Sequence, residues 1–426
     1  MTALAVWRNA RRVGRLDAAP SGEVRFTYDA AVVEAPRPTD VVGVRCPVRA
    51  APYVGPDAAA VFENLLPEGG LLATLGLATK HDPSDTVGLL GVVGGECAGA
   101  LQLWPEQVAV LPTPAYETVT VRALEAAFTL ASGQLRQVAG RASLSGTQPK
   151  LALWRRPPSD ARAAATPAVT PEYRLPLNGA PTTVVVKRPS ADFPGLLEAE
   201  LVGMRLMAAA GVPVASSAPC LVAKHCHESA RFDRTMDADG AVHRVHAEDG
   251  CQLTGRLPRN KYAGPGGVTL QDLVAVLRRW GATPATDREK LLRWALANVV
   301  MGNYDAHAKN VSVTYDEAGM LRLAPAYDVV VTSIFPGLDQ TFALAFGGTT
   351  HPAALTAHGL GVAAREFNVT VAQVGAVARD VLERVRAALP DVLHAVHGLG
   401  GNPKVLSALE SAVAGTADQC ARRLGL

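Results

Sequence analysis

The pattern of hydrophobic and polar positions changes along the chain, from strand-like in the first half to helical in the second. Alternation typical of strands occurs in GEVRFTYD (22–29), ECAGALQLWPE (96–106) and VVVKRP (184–189), whereas AAAVFENLL (58–66) has helical spacing. The stretch 105–117 is rich in turn residues and leads into a helix predicted from about 119 to 131. Residues 155–171 are rich in proline and alanine without an apolar period, which predicts a surface loop or hairpin extension.

Helical patterns dominate after residue 196. LLEAELVGMRLMAAAG (196–211) predicts a helix that stops at Gly211, and it is followed by a predicted strand at 218–225 and a connector at 228–234. From about Thr269 the segments LQDLVAVLRRWG and DREKLLRWALANVVMGN predict helices, as does most of the chain from 360 to the end. The pattern therefore predicts an α+β protein with a β-rich half, a helical half and a small mixed module in front.

Composition narrows the class of protein. The 426 residues are 48% hydrophobic, which excludes a disordered chain and is enough for two or three domains. A net charge of +2 excludes a strongly basic nucleic-acid binder, although a local basic patch stays open. The sequence contains no run of about 20 apolar residues that could span a membrane. Six scattered cysteines without a CxxC pair, and arginines in the opening segment, predict a reduced cytoplasmic protein.

The segment GNYDAHAKN (302–310) carries the clearest chemical signal. Asp305 precedes Asn310 by five positions, which is the spacing of a phosphotransferase loop in which an Asp accepts a hydroxyl proton and an Asn ligates Mg²⁺. Alone, this spacing also fits an ordinary surface turn. Two predicted strands joined by DEAG follow, and then Asp328 in AYD, so that a hairpin would return a second carboxylate to the loop. The ordered set favours phosphoryl transfer over two turn-capping aspartates.

Two further residues of this loop leave alternatives open. His307 is interpreted as an imidazole that packs on or hydrogen-bonds the loop, rather than as a catalytic base. Lys309 either stabilises charge on the γ-phosphate or is a solvated surface lysine.

A second candidate region is SLSGTQPK (143–150), which lies between two strand-like runs. Its small residues allow backbone N–H groups to approach phosphates, and Lys150 adds charge, although the segment is not a Walker A sequence. Otherwise it is a hairpin turn. Lys187 ends an apolar strand, where it would either face nucleotide phosphates, held by Glu198 or Glu200, or face water at a sheet edge.

Taken together, these motifs resemble the HipA-like serine/threonine kinases, the toxin halves of bacterial toxin–antitoxin pairs. FENLLPEG and GECAGALQLWPE resemble the N-terminal module of that family, and SLSGTQPK resembles its phosphate loop. RFDR (231–234), EDGCQL (248–253), GNYDAHAKN and PAYDVV resemble, in this order, its hinge, a signature beyond the hinge, its catalytic loop and its metal-binding segment. The resemblance covers nearly the whole chain.

The resemblance implies a bilobal protein-kinase-like fold that uses ATP and Mg²⁺. The implied domains are an N-terminal module at 1–112, a β-rich nucleotide-binding lobe at 113–258 and a helical catalytic lobe at 259–426. Asp305 would be the catalytic base, Asn310 and Asp328 would hold Mg²⁺, and Ser143 would be the site of self-inhibiting autophosphorylation. The implied nucleotide contacts are Ser145, Gly146, Thr147, Gln148, Lys150, Lys187, Ala230, Arg231, Phe232, His307, Lys309 and Asn310.

The resemblance also implies partners. These are a HipB-like helix-turn-helix antitoxin, operator DNA bound mainly through that antitoxin, and a protein substrate such as an aminoacyl-tRNA synthetase, whose phosphorylation would arrest translation and produce slow growth and persistence. A mainly non-catalytic co-repressor and a small-molecule phosphotransferase are the alternatives.

Overall fold

The structure is a computed structural model, and it describes residues 3–36, 41–120, 122, 124, 143, 150–155, 172–189, 192–220 and 226–426. The chain divides into two compact units. Unit 1 comprises Met1–Ser190, Ala218–Glu248 and Glu317–Gly319, and unit 2 comprises Ala191–Ser217, Asp249–Asp316 and Met320–Leu426. Within the described residues, no helix is both long and apolar enough to cross a membrane.

Unit 1 begins with a five-stranded antiparallel sheet in the order β4-β3-β2-β1-β5. Leu4 and Val6 of β1 face one apolar core, and Ala5 and Trp7 pack on the other side with Trp104, so that both faces of β1 are covered. The elements are β1 (Leu4–Arg8), β2 (Arg11–Ala18), β3 (Val24–Tyr28), α1 (Ala30–Val33), β4 (Tyr53–Val54), α2 (Pro56–Glu63), α3 (Gly69–Thr79), α4 (Thr86–Val93) and β5 (Leu101–Pro105).

A six-stranded sheet in the order β10-β11-β9-β7-β8-β6 follows. Its core contains Leu151, Leu153, Tyr173, Val184 and Val186. The strands are β6 (Ala115–Val119), β7 (Lys150–Arg155), β8 (Tyr173–Leu177), β9 (Val184–Lys187), β10 (Ser217–Pro219) and β11 (His227–Ala230), followed by β12 (Arg234–Met236), β13 (Val242–Arg244) and β14 (Ala247–Asp249), in which the chain passes to unit 2.

Unit 2 is mainly helical. α8 is surrounded by α5, α7, α10 and α11, and it is buried along most of its second half. The helices are α5 (Leu196–Ala209), α6 (Gly250–Thr254), α7 (Leu270–Trp280), α8 (Pro284–Met301), α9 (His358–Glu366), α10 (Val371–Gly398) and α11 (Pro403–Leu424), and the strands are β15 (Ser312–Tyr315) and β16 (Leu321–Leu323). Short 3₁₀ turns occupy Pro258–Asn260, Ala308–Asn310, Thr332–Ile334 and Pro352–Ala354.

Local signals explain where these helices begin and end. The Thr269 side chain accepts from the N–H of Asp272, and the Asp272 carboxylate accepts from the N–H of Thr269, a reciprocal cap that starts α7. α8 begins with Pro284 and ends at Gly302, whose φ of +74° turns the chain into the candidate loop. A side chain at Gly302 would also collide with Ser333, since its Cβ would lie 2.5 Å from Ser333 Oγ.

The α+β prediction is confirmed, with local corrections. Residues 115–117 are strand β6 rather than turn, because β6 lies at the edge of the sheet as the described strands form it and pairs there with β8, where few apolar side chains are needed. Residues 228–230 are strand β11 rather than connector, because Ser229 and Ala230 pair with the apolar strand β9. Most of the helix predicted at 119–131, the loop 155–171 and the second half of the strand 218–225 lie outside the described residues. The three-domain division stays a prediction.

Candidate functional site

The end of α8 leads directly into the loop 303–310 of unit 2. Asn303 is held by its side-chain bond to Asn298 on α8, and its own amide oxygen accepts from the N–H of Asp305 at 3.1 Å. The Asp305 C=O accepts the N–H of His307 at 2.8 Å. Asp305 is exposed while the residues that follow it are buried, so that its carboxylate is presented to solvent by a packed loop.

Asn310 folds back on Asp305, as the spacing predicts. The Asn310 amide nitrogen Nδ2 donates to the Asp305 C=O at 3.1 Å, which directs the Asn310 Oδ1 oxygen away from that carbonyl. One loop therefore carries the Asp305 carboxylate and the Asn310 amide oxygen, and a hydrogen bond holds the Asn310 side chain against the Asp305 backbone.

The hairpin β15–β16 returns the chain to this loop. The Tyr327 hydroxyl donates to the Lys309 C=O at 2.5 Å and also bonds Ser312 Oγ at 2.6 Å, which ties AYD to the loop. Asp328 has a φ of +57°, a conformation that is costly for residues other than glycine and least costly for Asn and Asp. Such backbone strain is most often found at functional positions.

His307 is a buried neutral imidazole. Burial lowers its pKa to about 3; the positive charge of Lys261 acts in the same direction, and the negative charge of Asp328 opposes both. Its ring meets the Tyr262 ring edge to face at 5.3 Å between centroids. Its Nδ1 atom has no hydrogen-bond partner among the described residues. The structure agrees with an imidazole that packs on the loop, as interpreted from the sequence.

Lys309 is not a solvated surface lysine, so that alternative is wrong. The side chain is 2% exposed, and Nζ lies 2.5 Å from Asp249 Oδ2. Asp249 also caps α6 by accepting the N–H groups of Cys251 and Gln252 with its other oxygen. Asp249 thus joins the start of α6 to the loop, and the predicted contact of Lys309 with a γ-phosphate stays a prediction.

In unit 1, two lysines of the predicted nucleotide contacts lie opposite each other. Lys150 pairs with Lys187 in the antiparallel register of β7 and β9, and Lys187 pairs with His227 on β11. Cross-strand partners point to the same face of a sheet, so Lys150, Lys187 and His227 form one row.

The segment RFDR, which resembles the hinge of the family, belongs to a buried ionic cluster. Arg231, Asp233, Arg234 and Arg244 surround the fully buried carboxylate of Glu96, at distances of 2.6–3.1 Å for the three Arg–Glu96 pairs. Burial pushes the pKa of Glu96 upward, but the three arginine charges outweigh that effect and lower it to about 2.

All five N–H groups of the Arg231 side chain are used inside this cluster. They donate to the two oxygens of Asp233, to Glu96 Oε1, to Thr182 Oγ1 and to the Cys97 C=O, and the backbone N–H of Arg231 donates to the Thr183 C=O. A nucleotide contact of the Arg231 side chain would require one of these bonds to break. Ala230 and Phe232 flank it, half-buried.

Ser143 is anchored in unit 1. Its Oγ donates to the Leu65 C=O at 2.5 Å, its N–H donates to the Glu96 C=O at 2.8 Å, and it is 1% exposed. The remaining predicted phosphate-loop residues, Ser145, Gly146, Thr147 and Gln148, lie outside the described residues.

Two residues of this region make contacts at the loop that the sequence analysis did not assign to them. Asp249 has a visible signal, because Asp249 and Gln252 have the spacing of a helix cap just before α6. Tyr262, whose hydroxyl bonds Asp305, has none, since it lies 43 residues earlier in an irregular segment.

Comparison with known proteins places these geometries in context. The HipA-like C-terminal domain matches residues 142–390, and the HipA N-terminal domain matches residues 4–104. The chain is 35% identical to "Putative kinase Y4mE" of Sinorhizobium fredii over 97% of both chains. It is 28% identical to "Serine/threonine-protein kinase toxin HipA" of Shewanella oneidensis, over 70% of this chain and 68% of that one.

The fold also has a solved counterpart. The structure titled "Shewanella oneidensis MR-1 Toxin Antitoxin System HipA, HipB and its operator DNA complex" matches with a TM-score of 0.81, at 20% identity, over 99% of this chain and 98% of that chain. This likeness confirms the predicted fold class.

Proposed function

This chain belongs to the HipA family, and from that premise we propose that it is a serine/threonine protein kinase toxin that transfers the γ-phosphoryl group of ATP to a protein hydroxyl. The observation that carries the proposal is the loop 305–310, in which Asp305 presents an exposed carboxylate and the Asn310 side chain is held by its bond to the Asp305 backbone C=O. The kinase names of two relatives support it.

Asp305 is the proposed proton acceptor. The substrate hydroxyl oxygen forms a bond to the γ-phosphorus, the bond from that phosphorus to the bridging oxygen of ADP breaks, and the hydroxyl proton passes to the carboxylate. An acceptor for this step must be reachable by a protein substrate, and Asp305 is exposed. His307 does not serve as a second base in this proposal, because its imidazole is enclosed by the loop.

Asn310 and Asp328 are the proposed metal ligands. Both offer oxygen donors, which suit Mg²⁺. The Asn310 amide nitrogen donates to the Asp305 backbone C=O, so the amide oxygen is the atom of this side chain that can bind the metal. When bound, Mg²⁺ neutralises charge on the phosphate oxygens. The role of this chain is to hold the two oxygens in place, through the Tyr327 bonds and the unusual backbone of Asp328.

The row of Lys150 and Lys187 is the proposed phosphate-binding element of unit 1. The support is their placement, since the two lysines are cross-strand partners on neighbouring strands and point to the same face of the sheet. Lys187 is nearly buried, which strengthens its interaction with a phosphate because water screens it less.

A labelling experiment tests the kinase proposal. The purified chain is incubated with Mg²⁺ and [γ-³²P]ATP, alone and with a cell extract, beside Asp305→Asn and the surface control Asp391→Asn on α10. Wild type and Asp391→Asn should label protein, and Asp305→Asn should lose at least about 100-fold of the rate. Absence of labelling by the wild type, or full labelling by Asp305→Asn, would contradict the proposal.

Ser143 is the proposed autophosphorylation site. Its hydroxyl is buried against the Leu65 C=O, so the serine must leave this position before it can react. A phosphate of about −2 charge cannot return to a site that offers a carbonyl oxygen, which would keep the modified segment out. Ser143→Ala should abolish the labelled peptide that contains position 143 and leave labelling of the extract protein intact, which mass spectrometry can resolve.

A HipB-like helix-turn-helix antitoxin and its operator DNA are the proposed partners, supported by the printed title of the matching solved complex. The near-neutral charge of +2 suggests that the antitoxin supplies most DNA contacts. Co-expression with a small helix-turn-helix protein encoded beside this chain should yield a complex that binds DNA. If Asp305→Asn represses as well as wild type, repression does not depend on catalysis, and the co-repressor role stands beside the kinase role.

The protein substrate is proposed to be a translation component such as an aminoacyl-tRNA synthetase. Candidate synthetases incubated with wild type and Asp305→Asn should differ in phosphate content and in aminoacylation rate. A labelled extract protein of unrelated function would replace this part of the proposal.

A further inference from the structure

The hydroxyl of Tyr262 contacts the proposed proton acceptor. It donates to Asp305 Oδ1 at 3.0 Å, although the Tyr262 side chain is 45% exposed. Exposed aromatic side chains carry no fixed position by themselves. The contact therefore requires that something else hold the ring over the loop.

The backbone on both sides of Tyr262 is held in place. The Ala308 N–H, inside the candidate loop, donates to the Lys261 C=O at 3.1 Å, and the Ala263 N–H donates to the Ala343 C=O at 2.7 Å. Beyond it, Gly264 has a φ of +142°, and a Cβ on Gly267 would lie 2.1 Å from the Tyr262 C=O oxygen. Only a chain with glycine at these positions can follow this path.

The ring itself packs against His307. The two rings meet edge to face at 5.3 Å, with an interplanar angle of 82°. Because His307 is neutral and buried, it offers an aromatic surface rather than a charge. The ring contact and the two backbone bonds together place the phenol hydroxyl at Asp305.

We propose that Tyr262 is a positioning residue for phosphoryl transfer, whose hydroxyl fixes the orientation of the Asp305 carboxylate. This inference rests on the proposed function. The hydrogen bond from the phenol holds Oδ1 still, so the carboxylate keeps one orientation toward the substrate hydroxyl.

The test replaces Tyr262 by Phe, which removes the hydroxyl and keeps the ring on His307. Tyr304→Phe is the matched control, because it removes the same group from the residue next to Asp305, and Tyr304 meets Phe342 rather than Asp305. In protein carrying [¹³C]aspartate, without nucleotide, the Asp305 carboxyl signal is assigned by its loss in Asp305→Asn. At one fixed pH, its chemical shift should change in Tyr262→Phe, which lacks the hydrogen bond to Oδ1, and stay unchanged in Tyr304→Phe.

Kinetics supply the second measurement. For Tyr262→Phe, kcat should fall about tenfold with little change in the KM for ATP, and Tyr304→Phe should keep both values. A purely structural tyrosine would lower the amount of folded protein and leave kcat per folded molecule unchanged.

Two results would overturn the inference. One is an Asp305 carboxyl signal and a kcat that are the same in Tyr262→Phe and wild type. The other is a faster Tyr262→Phe enzyme, which would mean that the phenol competes with the substrate hydroxyl. Failure of the kinase proposal looks different, because Asp305→Asn would then keep full activity while the Asp305 carboxyl signal of Tyr262→Phe still differed from that of the wild type.

Discussion

The ammonium group of Lys309 illustrates how one neighbour sets the role of a charged side chain. In isolation, a lysine within a polar loop is expected to point to solvent. Here it is buried against Asp249, whose other oxygen caps α6. Because Asp249 is at once a cap and a counter-ion, the loop and the start of α6 depend on the same carboxylate.

We expect Lys309→Met to destabilise unit 2 by about 3 kcal/mol, because it leaves the Asp249 carboxylate without its counter-ion in a desolvated position. Urea unfolding followed by intrinsic tryptophan fluorescence, to which Trp280 and Trp294 of unit 2 contribute, measures the change. The double variant Lys309→Met/Asp249→Asn removes both charges and should recover part of the loss. A single variant as stable as wild type would show that the pair carries no net charge interaction.

Lys187 and Lys150 give a prediction about binding. Lys187→Met should weaken ATP binding at least about tenfold, since it removes a poorly screened cation, and Lys150→Met should have a smaller effect because Lys150 is more exposed. Isothermal titration calorimetry at two salt concentrations measures both. Arg11→Met, an exposed cation on β2, is the control. Equal affinities for all variants would remove the lysine row from the proposed phosphate site.

At the scale of elements, the Glu96 cluster joins the segment before β5 to β11, β12 and β13. Arg234 and Arg244 open and close the two-stranded sheet β12–β13, and both reach the same carboxylate. The Asp233 carboxylate accepts the N–H of Gly99 at 2.7 Å, so the segment before β5 also donates a backbone hydrogen bond to the segment between β11 and β12. The segment before β5 is therefore linked by charge to the two-stranded sheet β12–β13.

The pKa values of this cluster and of His307 predict two separate acid transitions. The pKa of Glu96 is lowered from 4.5 to about 2, so its ionised form stabilises unit 1 above pH 4.5, and about 3 kcal/mol is lost as the pH falls toward 2. The pKa of His307 is lowered from 6.5 to about 3, so unit 2 begins to lose stability already below pH 6.5, where the unfolded chain takes up the proton.

Hydrogen exchange with peptide resolution measures both transitions. Peptides of the loop 303–310 should lose protection at a higher pH than peptides of 96–105. In His307→Asn the first loss should disappear and the second should persist. Simultaneous loss in both regions at one pH would contradict the separate assignments.

Local sequence patterns foresaw most elements of unit 2 and the backbone of its loop. The cap at Thr269, the proline at 284 and the glycine at 302 are local signals, and the five-residue step from Asp305 to Asn310 is closed by a local bond. Strand β6 escaped prediction because its stability comes from pairing with β8, about 55 residues away.

The site residues that were not predicted are joined by contacts between distant parts of the sequence. The Glu96 cluster joins residues 135 or more positions apart, and no local spacing encodes such a partner. Tyr262 reaches Asp305 through a glycine-rich path whose geometry appears only when the chain is folded. Periodicity and spacing predict local contacts, and they do not predict long-range pairing of side chains such as these.

At the scale of the whole chain, unit 1 contains both the residues that match the HipA N-terminal domain and the two sheets that follow. Glu96 belongs to the first part, and the arginines that surround it belong to the second. Removal of the first part would leave several buried guanidinium groups without their central anion, which costs far more than the loss of an exposed pair.

We therefore expect residues 113–426 to be insoluble or unfolded when expressed alone. Co-expression of residues 1–112 as a separate chain should restore a soluble complex, since it returns Glu96 and the apolar face of the first sheet. Size-exclusion chromatography and thermal unfolding measure this. A soluble 113–426 fragment that unfolds cooperatively would show that the three-part division of the chain is also a division into independent folding units.

The cluster around Glu96 also limits how members of this family can recombine. A crossover near residue 112 would combine the glutamate of one parent with the three arginine positions of another. The buried cluster of such a chimera is neutralised only if the two parents carry matching charges at these positions. Crossovers placed after Arg244 keep the whole cluster in one parental block. Gene shuffling between relatives that are about as different as 35% identity should therefore yield far more folded progeny from the later breakpoint.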